Sequence, residues 1–496
     1  MEYVLGIDVG TTSVKVILLS DQGRIEDEAS RPHDLLSPHL GWAEERADVW
    51  WHNVTECVRE IAGRDPERAK RIRCIGCSGM VPAIVLLDEQ GKPIRNTIQQ
   101  NDARASEQLH RLEQELDQDT LFALTGGKTN QQHVLPRLLW VKEQEPQVWE
   151  KTRTVMGSYD YIVYKLTGQM SLEINWAVES GSYDIRKREW LEKDLETFGL
   201  SSSLFPPVHL SMEPVGSTSG VETLLGIPDG IPVIAGSADH VASTLSAGIT
   251  KPGDLLIKFG GAGDILYCVD EIRTNPKLFF DYHVVPEHYL INGCMAASGS
   301  LVKWFVKDII NEERPEIFRE LDREAMKVPA GSQGLVILPY FLGEKTPVLD
   351  PEARGVMAGL TLSHTKAHIF RAILESVIYG FRHHIEILRE MGYEPARIMA
   401  TNGGAKSKFW CQIAADVLGQ RITSYKNHPG SSLGAAFLAG MQAGLFKDWE
   451  DIQKCLPPSQ VYEPDADNVK VYHKTYKIYR ELYPKLQTVF HELNEI

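Results

Sequence analysis

Three short runs of this 496-residue chain bring together residue types that hold phosphate or take up a proton. The first is Asp8-Val-Gly10-Thr11-Thr12-Ser13-Val-Lys15. Gly10 lets backbone come close to a ligand, three consecutive hydroxyls can donate to phosphate oxygens, and a lone carboxylate suits Mg²⁺, which keeps several of its waters. A threonine-rich hairpin turn uses the same residues, so spacing alone leaves both readings open. The second run is Gly236-Ser-Ala-Asp239-His240, where one acid follows an apolar strand. A carboxylate there can accept the proton of a substrate hydroxyl as its oxygen attacks a phosphoryl group. Aspartate also caps helices well, and taken locally the cap is the commoner use. The third is Asn402-Gly403-Gly404, which feeds into a helical pattern at Lys408 to Asp416. Glycines ahead of a helix leave room for a nucleotide against backbone amides, or they form an ordinary strand-to-helix loop.

Other runs carry less. Gly126-Gly127-Lys128-Thr129 has the ending of a Walker A motif, but Phe122 stands where its first glycine belongs. Cys74 and Cys77 form a C-x-x-C inside an apolar strand with no second pair at zinc spacing. His364 and His368 share a helical face without a third ligand beside them. Basic residues number 52 against 67 acidic ones, a net charge of −15. That disfavours nucleic acid or an anionic membrane as the main partner and leaves a small phosphate ligand open. Seven scattered cysteines, no signal-peptide pattern and no long apolar stretch place the expected protein in the cytoplasm, outside any bilayer.

The elements that must position these residues alternate between strand and helix, the pattern of an α/β protein. Tyr3 to Leu19 reads as a hairpin bent at Gly10, and Arg46 to Ile61 has helical spacing with Gly63 as its stop. Cys74 to Leu87 reads as strand, turn, strand, Leu135 to Lys142 and Tyr159 to Leu166 as helices, and Ile231 to Ala235 as a short strand. Gly248 to Gly253 is rich in turn formers, and Asp254 to Phe259 then runs into a second glycine corner, Gly260-Gly261-Ala262-Gly263. Both halves thus open on a strand that delivers glycines, which suggests a duplicated unit with domains at 1–248 and 249–496. Helices at Lys366 to Leu388 and Ser432 to Ala443 fall to the second half.

Together these runs resemble the FGGY carbohydrate kinases, the group of xylulokinases, gluconate kinases and glycerol kinases. The resemblance extends along nearly the whole chain: Asp8 to Lys15, Gly41-Trp-Ala-Glu-Glu45 to Trp51, Pro136 to Trp140, Asp160 to Gly168 and Pro339 to Gly355 all match in cadence. Gly355 to Leu360, then His368, Ile369, Ala372 and Glu375, fits the C-terminal signature. It implies two actin-like, ribonuclease-H-like domains, the first for sugar and the second for nucleotide, with ATP, Mg²⁺ and a sugar or polyol in the cleft between them. By position Asp239 becomes the base and Asp8 faces the magnesium. Gly10, Thr11, Thr12, Ser13 and Lys15 face phosphate, as do Gly260, Gly261 and Ala262, while Gly403 and Gly404 face the nucleotide. Met80, Val81, Asp102, Arg104 and His240 fall at substrate positions, with an internal Asp102–Arg104 ion pair as the plainer account of that pair. Family members often dimerise, so a homodimer is one expected assembly.

Two departures stand out. Xylulokinases carry Met-His-Gly, and glycerol kinases Arg-Glu, where this chain has Met80-Val81-Pro82-Ala83. Many relatives have Gly-Thr-Ser where it has Gly260-Gly261-Ala262, so a hydroxyl contact to the nucleotide is lost. The second departure keeps a nucleotide-binding regulator on the same fold as the competing expectation.

Overall fold

The computed structural model describes residues 1–425 and 428–495. Alternating apolar runs in the first half pair into one sheet, in the order β5-β6-β4-β1-β2-β3. Strands β1 (Tyr3–Val9), β2 (Ser13–Ser20) and β3 (Ile25–Pro32) form an antiparallel meander. Beside β1 lies β4 (Ile72–Gly79), parallel to it, followed by β5 (Pro214–Ser217) and β6 (Pro232–Ile234), of which β6 is parallel to β4. The short β7 (Ser237–Ala238) continues alongside the end of β4. Val4, Leu5, Ile7 and Val9 of β1 are all fully buried, as expected of a strand covered on both faces by helices. Around this sheet pack α1 (Ala47–Arg64), α2 (Ser158–Thr167), the short α3 (Ile174–Glu179) and α4 (Asp239–Ser246).

The second sheet repeats the plan. Strands β8 (Asp254–Phe259), β9 (Gly263–Val269), β10 (Phe279–Tyr282), β11 (Tyr289–Met295), β12 (Arg397–Thr401), β13 (Ile422–Tyr425) and β14 (Ser459–Tyr462) lie in the order β10-β11-β9-β8-β12-β13-β14. As in the first sheet, an antiparallel meander leads from the first strand to one side and parallel strands extend to the other. The duplication suggested by the two glycine corners is therefore a repeated topology. Helices α5 (Gly299–Trp304), α6 (Lys366–Glu390), α7 (Lys408–Leu418), α8 (Ser431–Gln442) and α9 (Ala466–Asn494) complete this half.

One helix departs from the division at residue 248. Leu433, Ala436, Phe437 and Ala439 of α8 share a core with Val4, Leu5 and Ile75, so α8 lies on the first sheet. Its glycines and alanines explain the fit: a Cβ added at Gly76 of β4 would strike the Ala435 carbonyl, and one at Gly434 would strike the backbone of Ala242 in α4. Small residues let strand, α8 and α4 approach to backbone distance, and that closeness sets where the start of α4 points.

Candidate active site

The corner between β8 and β9 separates two cavities. On one side Gly260 and Gly261 line a cavity of about 650 Å³ with Phe259, Trp410, Gly403 and Gly404. On the other, Ala262 lines a cavity of about 310 Å³ with Asp239 and His240. The corner is tied to the start of α5, since the Gly260 carbonyl accepts from the Gly299 amide at 2.7 Å and the Gly261 carbonyl accepts from Ser298 N at 2.8 Å and Ser300 Oγ at 2.9 Å. Phe259 stacks on Trp410 with ring centroids 4.9 Å apart, an apolar wall of the kind on which a flat base rests. No added Cβ at Gly261 or Gly403 would meet another atom within 4 Å, so both glycines face open space.

Asp239 is the first residue of α4, and Ala238 holds the cap position. The carboxylate is thus not spent as a cap and is free for the smaller cavity. The His240 ring lies among three carboxylates: Nδ1 is 3.6 Å from Asp239 Oδ1, and Nε2 is 3.0 Å from Asp281 Oδ2 and 3.6 Å from Glu179 Oε1. Burial works against a charged imidazole, but these three acids outweigh it and hold His240 well above the usual histidine range. Burial would likewise raise Asp239, but the nearby charge of His240, together with that of Lys258, keeps it below the ordinary carboxylate value. Glu179 is pushed up to about 8 by burial and by the Asp281 charge. Asp239 therefore stays ionised at neutral pH, as a proton acceptor must.

Asp8 is the last residue but one of β1, opposite Lys15 of β2 and Ser78 of β4, and Ser78 Oγ donates to its Oδ1 at 2.8 Å. Burial and the charge of Asp239 raise it to about 6, against hydrogen bonds from Ser431 and Ser78. Thr11 and Thr12 stand exposed at the hairpin corner, which Gly10 N closes on the Ser13 carbonyl at 3.1 Å. Lys15 turns to Glu28 at 3.0 Å.

Of the substrate positions, Val81 and His240 line the smaller cavity. Met80, Asp102 and Arg104 are not brought to it. Met80 is buried in the first core, and its carbonyl accepts from Ser158 Oγ at 2.8 Å. Asp102 and Arg104 pair with each other at 2.8 Å, while Asp102 takes the Ala43 amide at 2.6 Å and the Arg104 guanidinium lies 3.7 Å from the Trp42 ring centre. The internal pair is the arrangement found. In their place the cavity has Gln100, Thr125, Asn130 and Gln132 from the first half and Asp281, Asn292 and Lys345 from the second. Gly126 and Gly127, set aside as a failed Walker A, line it as well. These residues come from loops, from the end of a helix at Thr125 and from strands at Asp281 and Asn292, without local motifs, so no pattern along the chain marks them.

The profile of the FGGY family of carbohydrate kinases matches residues 3–246 with its N-terminal domain and residues 275–443 with its C-terminal domain. The chain belongs to that family. It is similar to a protein named xylulose kinase from Bacillus subtilis, 31% identical over 487 residues and 97% of each chain. A gluconokinase of the same organism is 27% identical over 504 residues, 99% of this chain and 97% of the other. Among solved structures, xylulose kinase from Rhodospirillum rubrum superposes with a TM-score of 0.94 at 40% identity, covering 99% of this chain and 100% of the other. This FGGY kinase is accordingly an ATP-dependent sugar kinase acting on a small-molecule sugar. No helix among the described residues is long and apolar enough to cross a membrane.

Proposed function

We propose that the chain phosphorylates a neutral ketose or polyol of xylulose-like size, with Asp239 as the general base. The observation that carries this is the position of Asp239, an ionised carboxylate in the smaller cavity, with the Gly260–Ala262 corner between it and the larger one. An acceptor in the smaller cavity presents its hydroxyl to Asp239. ATP in the larger one supplies the phosphoryl group to be transferred. The chain's task is to place the two and to hold the negative charge apart until transfer, since phosphoryl transfer depends on positioning and electrostatics more than on a strong base.

Asp8 offers carboxylate oxygen of the kind Mg²⁺ takes, beside a hairpin corner that carries the Thr11 and Thr12 hydroxyls, and is the residue that would hold it. The first-half wall of the acceptor cavity supports a neutral acceptor. Gln100, Thr125, Asn130 and Gln132 offer amides and a hydroxyl, and His133 is driven down to about 3 by burial, so it carries no charge at neutral pH. The charged ring on that wall, His240, is already taken up by Asp239, Asp281 and Glu179, so among the described residues a sugar acid would find no unpaired cation there to meet its carboxylate.

Coupled ADP release with Mg²⁺-ATP across pentuloses, pentitols and sugar acids tests the reading. We expect saturable turnover with a neutral acceptor, and Asp239→Asn to lower it by about 10²-fold or more with nucleotide binding retained. Wild-type kcat in the Asp239→Asn variant refutes the base assignment, and a preference for gluconate refutes the acceptor class.

A further inference from the structure

Asp281 is the one acidic residue of the acceptor cavity that reaches the base's neighbour from the other half of the chain, among the described residues. It sits on β10, an edge strand of the second sheet, yet β10 is fastened to the first half. The Tyr282 amide donates to Asn175 Oδ1 at 2.7 Å, and Asn175 Nδ2 donates to the Tyr282 carbonyl at 3.0 Å. Asn175 belongs to α3, which carries Glu179 one turn further on. The Asp281 carboxylate is thereby set on a rigid frame. Its Oδ2 accepts from both His240 Nε2 and Asn292 Nδ2, whereas its Oδ1 is buried without a donor. At 2% exposure an incompletely paired carboxylate is costly to the fold, and an apolar residue of similar size would serve packing better. The cost points to a use outside stability.

His240 shows what that use is. With Asp239, Glu179 and Asp281 all within 3.6 Å, an unclamped ring would swing among three carboxylates. The bond to Asp281 commits Nε2–H to one of them and turns Nδ1 toward Asp239. We propose that Asp281 is a positioning residue for the acceptor: it fixes the His240 ring so that Nδ1–H meets the hydroxyl next to the one being phosphorylated, and so sets which stereoisomer is accepted. This rests on Asp239 being the base, since it places that hydroxyl beside Asp239.

Steady-state kinetics of the full chain test it, with D-xylulose and its C4 epimer L-ribulose as probes, or the best acceptor of the panel and its epimer at that carbon. In Asp281→Asn the acceptor KM is expected to rise about tenfold, the ratio of kcat/KM between the epimers to fall about tenfold, and the KM for ATP to hold. His240→Ala is expected to lower the same ratio, and Asp281→Asn to add nothing in that background. Should Asp281→Asn not fold, Asp281→Glu, which keeps the charge on a longer arm, must still shift the ratio. An unchanged ratio overturns the proposal, as does an equal loss in acceptor and ATP parameters with a lowered unfolding midpoint, the mark of a structural role. Asp239→Asn keeps the two failures apart: if it stays active the base reading fails, and if it is inactive while Asp281→Asn leaves the ratio untouched, only the role of Asp281 fails.

Discussion

At the scale of single residues, the clearest departure is Gly261, which takes the place of a hydroxyl residue in many relatives. Its backbone conformation is open to any residue, and an added Cβ at this lining position of the larger cavity would meet no protein atom within 4 Å. Gly261→Thr is therefore expected to lower the KM for ATP about three- to tenfold, the worth of one hydrogen bond, with the acceptor KM unchanged. Equal ATP parameters in the two enzymes would mean that the corner's backbone does all the holding. Residues of this kind were legible because glycines and acids at strand ends form local patterns: Asp8, Asp239, Gly261 and Gly403 all announce themselves. Asp281 and Gln132 do not, since an aspartate inside an apolar strand and a glutamine in a loop acquire meaning only from partners that the fold brings in from a distance.

At the scale of elements, turn and strand periodicity placed the hairpin, α1, α6 and the β8–β9 corner within a few residues of where they stand. Burial was less legible, because a run of polar letters does not reveal whether a loop is covered. Glu344 shows this. It lies in a loop, yet is 4% exposed, and its Oε1 accepts from the amides of Ala296 and Lys345 at 2.8 Å each, anchoring the end of β11. Burial pushes it up to about 8, against an ordinary glutamate value of 4.5. The folded chain thus keeps a proton that the unfolded chain has already lost above pH 4.5, and stability falls as pH rises from there through 8. Glu344→Gln has no proton to lose, so its thermal midpoint should drop less than that of the wild type between about pH 6 and pH 9, as scanning calorimetry would read. Parallel curves for the two proteins would show that Glu344 does not contribute to that fall.

At the scale of the whole molecule, α8 comes from the second half of the chain but packs on the first sheet. Gly434 of α8 touches the backbone of α4, the helix whose first residue is Asp239. A larger side chain there must push the helices apart, so Gly434→Val is expected to lower the thermal midpoint and, by moving Asp239 relative to the β8–β9 corner, kcat more than either KM. Unaltered kcat in the folded variant would uncouple the α8 contact from the base. The same packing governs how the protein is made. The first sheet is synthesised early, but the helix that covers β1 and β4 leaves the ribosome only after Gln442 has been added. For more than half of synthesis Val4, Ile17 and Cys74, on the face that α8 covers, have no lid, and the nascent first half presents an apolar face that chaperones or neighbouring chains can claim before its own helix arrives.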